Sequence, residues 1–132
     1  MPRINTPEEF RKYVSRACDE ARVTILKFSE SVVLSPGYEL EWSGKVFEAA
    51  ATLDVLAGFE HFFARLDEED VMASRISPEE MLTNVRTSIA GQVVTGARYA
   101  PNTSTSATAN LMTTYRLQAK ARLAEALGCG EF

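Results

Sequence analysis

One histidine, His61, stands in the stretch KVFEAAATLDVLAGFEHFFARL (residues 45–66), with Asp54 seven residues before it. A carboxylate and an imidazole are the partners a general-base pair needs. On a helix, seven residues place them on one side but about 10.5 Å apart along the axis. That separation rules out a direct hydrogen bond, so a reacting group from a neighbouring helix would have to sit between them. No nucleophile motif accompanies the pair, and the expectation is a polar edge on a packing helix, with no catalytic residue.

Metal chemistry finds less support. A di-iron bundle places Glu-x-x-His on a helix. Here Glu60 and His61 are adjacent, about 100° apart around a helix, and there is no second histidine. The acidic run Asp67-Glu68-Glu69-Asp70 lacks the spaced oxygens and the glycine of a calcium loop. GQVVTGAR (residues 91–98) has the glycine spacing of a phosphate loop but not the Lys-Ser/Thr that follows it. Neither a metal nor a cofactor is expected. Cys18, inside an apolar helical stripe, reads as a small hydrophobe, and Cys129, between two glycines, reads as an accessible thiol.

The elements that would carry these residues are helical. NTPEEF offers Thr6 as an N-cap, Pro7 as the first helical residue and Glu9 as its box partner. Phe10, Val14, Ala17, Ala21, Ile25, Phe28 and Val32 then recur every three or four residues, one apolar stripe ending before Pro36-Gly37. YELEWSG alternates apolar and polar residues, so a short irregular linker is expected at 35–43, with Trp42 closing one end of the core. In the second helix Val55, Leu56, Phe59, Phe62, Phe63 and Leu66 make a bulky face. Across from it, Ala50, Ala57 and Ala64 repeat every seven residues beside Asp54 and His61. Small side chains in a row admit another helix closely.

Ser77, Pro78 and Glu80 repeat the capping signal, and Met81, Leu82, Val85, Ile89 and Val93 continue as a stripe, giving a third helix over about 78–98. Two glycines and a β-branched run leave open whether 85–99 is continuous. The loop APNTSTSATAN precedes a last helix carrying Ala109, Met112, Tyr115, Ala119, Leu123 and Ala126, capped at its start by one of residues 104–106 and stopped at Gly128. Four helices joined by short connections predict an all-α antiparallel four-helix bundle, a single helical domain over 1–132.

Charge is segregated along the chain. Residues 31–80 hold eleven acids against Lys45, Arg65 and Arg75, whereas Arg86, Arg98, Arg116, Lys120 and Arg122 follow with no acid before Glu125. The plainest reading is two faces that attract each other within one fold. The sharper readings are directional association between proteins, or a polyanion surface at Arg98, Arg116, Lys120 and Arg122 with Tyr99 and Tyr115 to stack on bases. A pI near 5.1 weakens the nucleic-acid reading.

The expectation is thus a non-catalytic helical subunit or adaptor, a homo-oligomer or part of a larger protein assembly, with Ala50, Asp54, Ala57, His61 and Ala64 as the contact face. The alternatives are a nucleic-acid accessory protein, or a ligand-binding or enzymatic bundle around Asp54 and His61. The start of the chain does not read as an export signal, and the longest apolar stretch is broken by Glu48, Asp54, Glu60 and His61, so no membrane span and a cytoplasmic location are expected.

Overall fold

The computed structural model describes residues 3–34, 39–68, 76–99 and 107–130. It is all-helical, with four helices and no strand among those residues: α1 (Pro7–Leu34), α2 (Glu39–Asp67), α3 (Pro78–Tyr99) and α4 (Ala107–Ala126). α1 packs most extensively on α2, α4 packs on both α2 and α3, and α1 touches α3 more lightly. Two pairs of contacts fix directions. Arg11 and Arg22 of α1 bond Asp67 and Glu60 of α2, so these two helices run antiparallel. Gly96 faces Leu117, and the Cys129 thiol donates to the Arg86 carbonyl at 3.4 Å, so α3 runs antiparallel to α4.

Both capping signals operate. The Glu9 amide donates to Thr6 Oγ1 at 3.2 Å, and the Glu80 amide donates to Ser77 Oγ at 3.1 Å. Each bond satisfies one amide that the first helical turn leaves without a partner. α4 ends in a Schellman arrangement: the Gly128 amide donates to the Glu125 carbonyl, and the Cys129 amide to the Ala124 carbonyl. Gly128 adopts φ of +75°, and a β-carbon there would run into the Arg3 guanidinium. Glycine is the residue that suits this position.

The core joins all four helices. Phe10, Val14 and Cys18 from α1 meet Leu56 and Phe63 from α2, the stripe Met81 to Val93 from α3, and Leu123, Ala124 and Leu127 at the end of α4. Phe10 is fully buried, edge-on to Phe59 at 5.2 Å and to Phe63 at 6.0 Å. Burying a side chain of this size contributes about 1.5–3 kcal/mol. Ile4, ahead of the first helix, is also buried; its amide donates to the Ala126 carbonyl and its carbonyl accepts from Arg86, both at 2.8 Å.

One expectation is corrected. The linker expected at 35–43 does not extend through residues 39–43, because α2 begins at Glu39. An alternation over a few residues fixes no period when there is no strand to pair with, and lengthening an existing helix avoids the unfavourable nucleation of a new element. The region 85–99, left open by its composition, is continuous helix to Tyr99. The caps expected among residues 104–106, the Trp42 side chain, the Tyr99 side chain and residues 69–70 of the acidic run lie outside the described residues and side chains.

Candidate interaction site: a groove bordered by α1, α2 and α4

An open groove of about 740 Å³ runs along α1, reached by α2 and α4. Its floor is made of small side chains, among them Ala21 from α1, Ala49 from α2, and Ala119 and Ala126 from α4, all buried. Leu56 adds the one large apolar residue at its base. Alanine is present here for a packing reason. α2 packs on both α1 and α4, and short side chains let those backbones approach.

The rim is charged and internally paired. Arg16 bonds Glu20 at 3.1 Å along α1, and Arg122 of α4 bonds Glu48 of α2 at 3.1 Å. Lys27 and Lys45 complete the lining on the cationic side. Tyr13 sits at one end, and burial raises its hydroxyl above the ordinary phenol range, with Arg122 opposing and Glu125 reinforcing the shift. It is therefore a neutral hydrogen-bonding group at physiological pH. An alanine floor with such a rim offers apolar contact area beside charged groups.

Beyond the rim, α1 turns Val23 and Leu26 to solvent, 48% and 63% exposed. Sequence reasoning passed over this surface because the helix stripe that begins at Phe10 accounts for the core. The signal was nevertheless available: two large apolar residues three apart, both off that stripe.

The expected contact face on α2 is only partly open. Ala50 and Ala57 are half-buried, whereas Asp54, His61 and Ala64 are exposed. Asp54 accepts a hydrogen bond from Arg116 Nε at 3.1 Å. Gly58, exposed on the same side, has no atom within 4 Å of where a β-carbon would stand. Neither Asp54 nor His61 lines the groove. The opposite, bulky face of α2 packs as expected: Leu56 and Phe63 are buried, and Val55, Phe59, Phe62 and Leu66 are packed against the core.

The four basic residues differ in their surroundings. Arg116 and Arg122 are ion-paired to Asp54 and Glu48 of α2, Arg98 is exposed on α3, and Lys120 is half-buried. Cys18 is a buried free thiol, and Cys129 is a half-buried one. Burial raises the Cys18 thiol above its ordinary value, with Glu60 adding to the effect. Among the described residues no three His, Cys, Asp or Glu side chains gather as a metal set, and no helix is long and apolar enough to cross a membrane.

Fold and groove together define a helical bundle with an open interhelical cleft. No family model, no curated protein and no solved structure matches the chain.

Proposed function

We propose that this chain is a non-catalytic helical subunit that works by docking against other protein surfaces, with the α1 side of the groove as its contact region. The observation that carries this reading is the alanine-floored groove of about 740 Å³ lying beside the exposed Val23 and Leu26. Apolar surface rimmed by polar groups marks sites of protein association. The charge segregation supports it less directly, because Arg116 and Arg122 are spent within the fold on Asp54 and Glu48. The same pairing argues against the polyanion reading. We place the protein in the cytoplasm, where Cys18 and Cys129 would stay reduced.

A blocking experiment tests the reading. In a Cys129→Ser background, a cysteine introduced at Thr24, in the groove, is labelled with a bulky maleimide; a second protein carries the label at Thr95, exposed on α3. The label at residue 24 should shift the mass distribution in light scattering toward 14.6 kDa, and the label at residue 95 should leave it unchanged. If the unlabelled protein associates and both labelled proteins keep its distribution, the groove is removed as the surface of that association.

A further inference from the structure

The outer face of α1 reads Arg16, Glu20, Val23, Lys27, Glu30, at spacings of four, three, four and three. Such spacing places all five on one face of a helix. All five are exposed, and Leu26 stands next to them, so among the described residues no helix of the same chain covers this face. The order of charges has a specific property: it inverts about Val23. Arg16 lies seven residues before Val23 and Glu30 seven after, while Glu20 lies three before and Lys27 four after.

We infer that this face is the interface of a homodimer, in which α1 of one copy lies antiparallel to α1 of a second about a two-fold axis near Val23. The inference rests on the docking role proposed above and names the partner as a second copy of this chain. In the antiparallel register Arg16 faces Glu30 of the second copy and Glu20 faces Lys27, and the two-fold axis makes each pair occur twice. A parallel, in-register pairing would set every charge against its own kind. The stripe therefore selects one orientation and one partner, as charged flanking positions do between paired helices.

The apolar part of the contact is Val23 and Leu26 from each copy, which leave water at the centre, while Glu20 and Lys27 lie about 5–6 Å and Arg16 and Glu30 about 10 Å to either side along the helix. Arg16, Glu20 and Lys27 also line the groove, so the alanine floor lies beside the axis and leaves room for the second copy's side chains. Within one chain Arg16 and Glu20 already bond at 3.1 Å, but at 83% and 69% exposure. A pair so exposed holds its partners weakly, and the carboxylate is free to be shared with a cation across the interface.

Sedimentation equilibrium on charge variants tests this. The wild-type chain should move from 14.6 kDa toward twice that mass as concentration rises, and added salt should reverse the shift. Glu20→Lys alone, or Lys27→Glu alone, puts like charges across the axis twice and should weaken the dimer by about tenfold or more. The double variant Glu20→Lys/Lys27→Glu should restore it. A mixture of the two single variants should form a heterodimer more readily than either forms a homodimer. All the variants lie at exposed positions, so unchanged circular dichroism serves as the folding control. A wild-type chain that stays at 14.6 kDa at millimolar concentration overturns the homodimer and leaves the docking role to some other partner. A dimer indifferent to every charge variant overturns this register while the groove-labelling result still stands or falls by itself.

Discussion

Arg116 of α4 and Asp54 of α2, sixty-two positions apart in the chain, are joined by an Nε–Oδ2 hydrogen bond of 3.1 Å. Six residues further along α4, nearly two turns, Arg122 bonds Glu48 of α2. The basic end of the chain and its acidic middle thus meet inside one molecule. The carboxylate that could have assisted His61 in acid–base chemistry is bound to a guanidinium, and the cations that could have followed a phosphate backbone are in part neutralised. One helix contact accounts for both.

The Arg116–Asp54 bond should be measurable and small. Its two side chains are 45% and 51% exposed, and pairs of this kind contribute about 0.2–1 kcal/mol. A double-mutant cycle of Arg116→Ala and Asp54→Ala in urea should give a coupling energy in that range. The coupling should fade in high salt. A value well above it would mean that the pair is shielded from water in a way its exposure does not express.

Stability should depend far more on the end of α4. Leu123 has no exposed surface and belongs to the common core. Leu123→Ala should lower the unfolding free energy by about 2–5 kcal/mol. Val94, at 55% exposure on α3, serves as the control: Val94→Ala should stay within about 0.5 kcal/mol of wild type. Equal losses for the two would show that α4 is not packed as described.

The helices were legible because each carries its own instructions. Thr6-Pro7 and Ser77-Pro78 mark two starts, Gly128 marks the end of α4, and the stripes of α1 and α3 have a helical period. The start of α2 was not legible, since Leu40 and Trp42 fit an alternation as readily as a helix over so short a stretch. The burial of Ile4 was also hidden; it depends on where the end of α4 arrives, which no local pattern encodes. The groove was missed for a related reason. Ala21, Ala49 and Ala119 lie on three different helices, and their meeting is a fact of packing that no single stripe displays. The charged stripe on α1, by contrast, is written in one helix and was readable once Arg16, Glu20, Lys27 and Glu30 were considered together.

Acid should weaken the α1–α2 contact. Arg22 holds the Glu60 carboxyl below its ordinary value of 4.5, and Arg11 holds Asp67 below 3.8, in each case chiefly by a hydrogen bond to the carboxylate. A carboxylate whose value is depressed on folding adds stability that is complete above the unfolded value and is lost as pH falls through the folded one. The urea midpoint should therefore be flat from neutral pH down to about 5 as far as these two groups are concerned, and should fall below that. Glu60→Gln should flatten part of the acid limb. An unchanged limb in that variant would assign the loss to other carboxylates.

Gly58 offers the sharpest test of the α2 outer face. It sits in the interior of α2, exposed, with nothing within 4 Å of a β-carbon position. Glycine in a helix interior is destabilising by roughly 0.5–1 kcal/mol relative to alanine. In the isolated chain nothing offsets that loss, so Gly58→Ala should raise stability by about that amount, through the unfolded state as well as the helix. The measurement is the urea midpoint at low protein concentration, with mass followed in parallel. If alanine instead destabilises the protein, or shifts it to a smaller mass, then a second helix approaches α2 at Gly58. The face of Ala50, Asp54, Ala57, His61 and Ala64 would then be a contact surface in its own right, alongside the one on α1.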